Sequence, residues 1–275
     1  MTGRDLDGRT VLLTGAAGGL GSAMTAALLQ AGAVVIGTDR DEPALSRLRD
    51  EHSAACPGRL HVLAADIAGG DGRRDLLAAA ARLAGRIDVL VNNAGIGLGM
   101  IRADYPVRPI RYWEVDAATL EQFLAVHTVA PYQLASALLP GMLEHGWGRV
   151  INVTTSLATM IRPGMSPYGG AKAATEAFTA MLAGDLSGSG VTANVLIPGG
   201  PVDTAILPDR PEIDRSRWLQ PPVMGPPSVW LSSGASDAVN GKRVVAADCD
   251  PVTGAPVTLA GIAWPGHERE VHWAR

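Results

Sequence analysis

Thr14-Gly15-Ala16-Ala17-Gly18-Gly19-Leu20-Gly21 follows the apolar run at 10–13 and opens an Ala/Leu-rich stretch that reaches Gln30. That order encodes a short buried strand, a glycine-rich turn and a helix. Gly15, Gly18, Gly19 and Gly21 let the backbone come close to a diphosphate, and the free amides around Leu20 at the helix start receive its charge. A strand before and a helix after distinguish this from a merely tight turn.

Downstream the alternation continues. Strands are expected at 10–13, 33–37, 60–65, 87–91, 149–154, 192–197 and 243–247. Helices are expected at about 19–30, 42–51, 74–84, 120–139, 168–186 and 227–233. The pattern predicts an α/β fold over residues 1–250, a single Rossmann-like domain with a seven-stranded, doubly wound parallel sheet. Residues 251–275 contain three prolines, two histidines and two tryptophans without a period. They are expected to form a C-terminal extension docking on the same domain or on a neighbouring subunit. Irregular stretches at 96–118 and 199–226 each follow a strand, where loops border the ligand crevice of such sheets.

Composition narrows the function classes. Hydrophobic residues at 47% and charged residues at 18% describe a folded globular chain. With 23 Lys plus Arg against 27 Asp plus Glu, the formal charge of -4 lacks the basic excess of a nucleic-acid binder. Cys56 and Cys249 have no metal-ligand spacing, so no metal site is expected, and they fit a cytoplasmic protein with reduced thiols. The first apolar run is broken at Thr14 and Gly15, and no stretch nears the ~18 apolar residues of a membrane helix. Neither a signal peptide nor a membrane partner is expected.

At the cofactor end, Asp39 closes the second strand 18 residues after Gly21, where a carboxylate accepts from the two hydroxyls of an adenosine ribose. A 2'-phosphate would meet like charge there, which favours NAD. Arg40 next door is the argument for NADP, because a guanidinium pairs with that phosphate. Asp66, before Ile67 and after the third strand, suits either the adenine amino group or a turn. Asn92-Asn93-Ala94-Gly95 follows the fourth strand, and its small residues admit a cofactor while its amides can tie strand ends together.

Tyr168 and Lys172 are spaced i,i+4 and so share a helix face. An ammonium held close to a phenol favours the phenolate and lowers its pKa, which suits proton delivery to an alkoxide formed by hydride transfer. Alone, that spacing is a common coincidence.

In context, the chain resembles the short-chain dehydrogenase/reductase family over residues 8–250. The resemblance rests on the glycine run, Asp66, Asn92 to Gly95, the Tyr168-x-x-x-Lys172 pair, and Pro198-Gly199 with Thr204. It implies that Tyr168 is the general acid/base and that Lys172 lowers its pKa and holds the nicotinamide ribose. It further implies that Asn93, Ala94, Gly95, Pro198, Gly199 and Thr204 lie at the cofactor. A hydroxyl partner, normally Ser, is implied thirteen residues before the tyrosine. That position is Thr155, with Ser156 as the alternative if the backbone turns there. Where the family has Asn in the long helix, this chain has His127, and Pro131 four residues later leaves the His127 carbonyl free and the helix bent. Three readings stay open: a water on that carbonyl passes protons to the lysine, the imidazole relays them itself, or turnover is impaired.

Apolar side chains in the loops, Met100, Ile206 and Trp218 among them, suggest a small-molecule alcohol or ketone with an apolar or ring-containing body. Seven arginines in the same loops leave an anionic group open: Arg102, Arg108, Arg111, Arg162, Arg210, Arg215 and Arg217. The resemblance also implies a homo-oligomer, a tetramer ahead of a dimer, packed through the helices of His127 and Lys172. Other nicotinamide chemistry, such as enone or imine reduction or epimerisation, and an NAD-binding regulatory protein are the alternatives.

Overall fold

Alternate side chains along the short strands divide between two layers. In β1 (Thr10–Thr14), Val11 and Leu13 join one core and Leu12 the other, all without solvent exposure. The same alternation recurs in β4 (Val89–Asn92) and β5 (Gly148–Val153), where Leu90 and Val150 join Leu12 while Val91 and Ile151 join Val11. Strands buried on both faces in this way belong to a sheet covered by helices on each side. The computed structural model describes residues 5–207 and 214–262.

The other strands are β2 (Val34–Asp39), β3 (Leu60–Ala64), β6 (Val191–Ile197), β7 (Lys242–Val245) and β8 (Ala260–Gly261). Their order is β3-β2-β1-β4-β5-β6-β7-β8. The chain reverses direction across the sheet between β1 and β4, and a ligand crevice opens at such a switch point. The seven-stranded, wholly parallel sheet expected from sequence needs one correction. An eighth strand, β8, pairs antiparallel to β7, Arg243 opposite Ala260. Two residues long and exposed, β8 has no apolar period that would announce it. It lies in the first half of the expected C-terminal extension, and residues 263–275 lie outside the described residues.

Helices α1 (Gly19–Gln30), α2 (Glu42–Ser53) and α3 (Gly70–Ala84) follow the first three strands. Asp41 caps α2 by accepting from the Ala44 amide at 2.9 Å, with Pro43 in its first turn. The long helix expected at 120–139 is interrupted. It runs as α4 (Ala117–Leu124), a π turn over Ala125–Val129, and α5 (Ala130–Glu144). Inside that turn the Ala130 amide reaches back to the Ala125 carbonyl, the wide turn that accommodates Pro131, which has no amide hydrogen. A short α6 (Leu157–Ile161), then α7 (Tyr168–Asp185) and α8 (Gly225–Ser232), complete the layers.

Candidate active site

The carboxyl ends of β1, β2, β4, β5 and β6 open into one cleft of about 1020 Å³. That is at the upper end of the roughly 300–1,000 Å³ of small-molecule sites. Gly15, Gly18, Gly19, Leu20, Gly21, Asp39, Arg40, Asp66, Ile67, Asn93, Ala94, Gly95, Pro198, Gly199 and Thr204 all line it, together with Tyr168, Lys172, Thr155, Ser156 and His127.

The glycine turn is shaped for close approach. Gly15 has φ +67°, and a Cβ there would lie 2.7 Å from the Ala94 Cα. At Gly21 a Cβ would fall 1.9 Å from the Gly15 carbonyl oxygen, so the turn folds back on itself only without side chains. No side chain caps α1, which leaves its first amides free to receive a diphosphate. Asn93 Nδ2 donates to the carbonyls of Thr14 and Gly15 at 3.0 Å, and Thr14 Oγ1 accepts from the Asn93 and Ala94 amides. Asn92 donates to Asn152 at 2.8 Å, so the two asparagines tie β4 to both neighbours.

At the adenosine end, Asp39 Oδ1 accepts from the amides of Arg40 and Asp41 at 2.8 and 3.3 Å. Asp66 Oδ1 accepts from the Ala68 amide at 2.9 Å, which turns the chain after β3. The buried Arg73 holds this loop from behind through the carbonyls of Ile67 and Ala68, and ties it to Gln133. These features fit a dinucleotide: a cradle that Cβ atoms would fill, an uncapped helix start and a carboxylate at the end of β2.

At the chemical end Thr155 lines the cleft with Tyr168 and its hydroxyl acts on the phenol, while Ser156 caps α6 by accepting from the Thr159 amide at 3.2 Å. Neighbouring hydroxyls at a strand end are thus divided between the site and the next helix. Burial pushes the Tyr168 phenol up to about 12, with the Thr155 hydroxyl acting in the opposite direction. The direction is opposite to the lowering expected from a nearby ammonium, because desolvation dominates and the Tyr105 phenol adds to it. Burial also pulls Lys172 down to about 8, opposed by Glu176, and its Nζ donates to the Val153 carbonyl at 2.7 Å.

His127 is 1% exposed. Burial, and then the charge of Lys172, hold its imidazole well below its usual value, so it is neutral at physiological pH. Its Nε2 lies 2.9 Å from the Ile96 carbonyl oxygen and 3.2 Å from the Ile96 amide nitrogen. Nor is the His127 carbonyl left free by Pro131, as the sequence suggests, because Thr175 Oγ1 donates to it. The same hydroxyl lies 3.0 Å from the Ala171 carbonyl, and its single hydrogen serves one of the two at a time.

Sequence reasoning missed Glu176, which is 2% exposed on α7 one turn beyond Lys172. It accepts from Thr154 Oγ1 at 2.5 Å and pairs with Arg243 of β7. Burial pushes its carboxyl up, against Thr154, Arg243 and Lys172. Two signals were available: the row Tyr168, Lys172, Glu176 at i, i+4, i+8, and an arginine inside a buried strand, which requires a partner. Among the described residues no cluster of ligating side chains could hold a metal, both cysteines are free, and no helix is long and apolar enough to cross a membrane.

A family model described as short chain dehydrogenase matches residues 9–213. A short chain dehydrogenase of Pseudocercospora fijiensis is 36% identical over 205 residues, which are 74% of this chain and 63% of that protein. The chain therefore spans less than two thirds of that relative's length. The NADP-dependent 3-hydroxy acid dehydrogenase YdfG of Escherichia coli is 33% identical over 189 residues, 69% of this chain and 71% of that one. A gluconate 5-dehydrogenase from Burkholderia cenocepacia, solved with NADP and tartrate, is similar with a TM-score of 0.76 at 27% identity, covering 88% of this chain and 95% of that one. The family match runs from the start of β1 past Thr204 and so takes in nearly everything that builds the cleft; the chain belongs to the short-chain dehydrogenase/reductase family of oxidoreductases.

Proposed function

We propose that the protein is an NAD-dependent dehydrogenase that interconverts a secondary alcohol and its ketone, with Tyr168 as the proton donor and acceptor. The observation that carries this reading is that Thr155, Tyr168 and Lys172 line one wall of the cleft, the last two on the same helix face. When bound, the nicotinamide supplies or accepts the hydride. The side chains of this chain handle the oxygen. Thr155 orients it, and Tyr168, fully protonated at neutral pH, delivers its proton as negative charge develops there. In the oxidation direction the Lys172 charge favours the phenolate that must take the proton back. His127, neutral and bonded to Ile96, acts in this reading as a support for the loop after β4.

Asp39 supports NAD over NADP, because its carboxylate stands where a 2'-phosphate would add like charge. YdfG and the gluconate dehydrogenase are named with NADP, so the preference is assigned to this one residue. For assembly, Tyr132 and Phe178 form an edge-on pair on exposed faces of α5 and α7, with Met181 63% exposed nearby on α7. That face supports a homo-oligomer through these helices, and the exposed Val252, Val257 and Leu259 offer the second face a tetramer needs. The two free thiols fit a cytoplasmic location.

The experiment is a panel of ketones and alcohols followed through NAD(H) absorbance, with wild type beside Tyr168→Phe. Turnover is expected to fall by about 10²–10⁴-fold in the variant while the Kd for NAD stays within about twofold. Equal turnover in the two proteins overturns the assignment.

A further inference from the structure

The arginines of the substrate loops are sorted by their surroundings. Arg102 is bound to Glu114 at 2.9 Å and Arg215 to Asp203 at 2.5 Å. Arg108, Arg111 and Arg217 do not line the cleft, and Arg210 lies outside the described residues. Of the described six, only Arg162 lines it. Its Nη2 lies 3.3 Å from Met165 Sδ, a weak acceptor, and among the described residues no carboxylate pairs with this solvent-exposed guanidinium.

The charge around it is one-sided. The carboxylates that line the cleft, Asp39, Asp41 and Asp66, stand at the ends of β2 and β3, on the adenosine side. Around Tyr168 the titratable lining is Tyr105, His127, Arg162 and Lys172, with no carboxylate. His127 is neutral, so this half of the cleft presents cations alone. Burial pushes the half-buried Tyr105 phenol up while the Arg162 charge pulls it down, and Tyr105 in turn acts on Tyr168. Tyr105, Met165 and Tyr168 pack against one apolar cluster, Arg162 reaches Met165, and the apolar Met100 and Ile206 also border the cleft.

We propose that Arg162 and the Tyr105 hydroxyl form a subsite for a carboxylate of the substrate, which makes the substrates hydroxy acids and oxo acids of short chain. The inference rests on the dehydrogenase reading above and adds the substrate class. A guanidinium fork receives a carboxylate through two parallel bonds, and the phenol adds a third donor. With the acid group held there, the carbon chain runs past Tyr105 and places its hydroxyl or carbonyl carbon at Tyr168. A neutral ketone lacks the first contact and is held only by apolar burial.

The test compares acetoacetate and levulinate with their methyl esters, in wild type, Arg162→Met, Arg162→Lys and Tyr105→Phe. Wild type is expected to prefer the acids by about tenfold or more in kcat/KM. Arg162→Met should raise KM for the acids about 10- to 100-fold, at least tenfold more than for the esters, and Arg162→Lys should recover part of the loss. Equal use of acids and esters by wild type, or equal losses on both in Arg162→Met, overturns the subsite. A larger loss on an acyl carrier protein thioester than on the free acid also overturns it and points to a contact with the carrier. Malonate titrated into the NAD-loaded protein reads the subsite without turnover. Saturable binding that Arg162→Met weakens tenfold supports it, and no binding to wild type overturns it. A panel without any turnover, with malonate still bound through Arg162, would overturn the dehydrogenase reading and leave the anion subsite standing.

Discussion

The Nε2 atom of His127 lies 2.9 Å from the carbonyl oxygen of Ile96, joining the π turn at 125–129 to the loop that leaves β4. The ring also fills the space beside Gly95, where a Cβ would come within 2.8 Å of its Cε1. A histidine here is a brace across the floor of the cleft. His127→Asn keeps a polar group near Ile96 and is expected to retain most activity. His127→Ala opens a buried cavity and is expected to lose about 2–4 kcal/mol of stability and to weaken NAD binding. Thermal unfolding and NAD titration of both variants check this. Because the ring stays neutral, neither variant should move a limb of the kcat/KM profile between pH 6 and roughly 7.5. A limb that moves there would restore the imidazole relay.

Burial lowers the proton affinity of Lys172, and Glu176 opposes that loss. The groups acting on that ammonium are Glu176, which favours it, and burial, which opposes it and leaves it near 8; the charge is also felt by His127. Removing the carboxylate lets Lys172 lose its proton at lower pH, so the alkaline limb of kcat/KM should move down in Glu176→Gln. That variant leaves Arg243 buried without its partner, a loss of about 3–5 kcal/mol. Glu176→Gln with Arg243→Met removes both charges and is expected to recover most of the stability while keeping the shifted limb. A double variant with the wild-type profile would reduce Glu176 to a packing role.

Asp39→Asn keeps the acceptor for the amides of Arg40 and Asp41 but removes the charge. The ratio of the Kd values for NADP and NAD is expected to move toward NADP by about tenfold or more, the scale of one close like-charge contact. Titration of both cofactors by fluorescence decides it. An unchanged ratio would mean that Arg40 and Arg47, which also line this end, set the preference.

Thr155 and Ser156 separate by function. Thr155→Val removes the hydroxyl that acts on Tyr168 and should lower kcat by about 10²-fold, whereas Thr155→Ser should stay near wild type. Ser156→Ala removes the cap of α6, and the expected result is about 1 kcal/mol of lost stability with kcat little changed. The reverse pattern would make Ser156 the partner of the tyrosine.

Much of the fold was legible from the chain because its signals are local. A strand, a glycine turn and a helix at 10–30 state their own order, and burial of both faces of β1, β4 and β5 follows from their apolar runs. Tyr168 and Lys172 were legible through one helical turn, and Asp39 through its place at a strand end. What the tertiary structure alone decided is which distant groups meet. Arg243 finds Glu176 67 residues away, Thr175 reaches the carbonyl of His127 across 48, and of the six described arginines in the substrate loops Arg162 alone faces the cleft. The upward shift of Tyr168 belongs there too, since burial is its largest cause. Spacing indicates that an ammonium is near, but desolvation depends on everything packed around the phenol, and no local pattern encodes that.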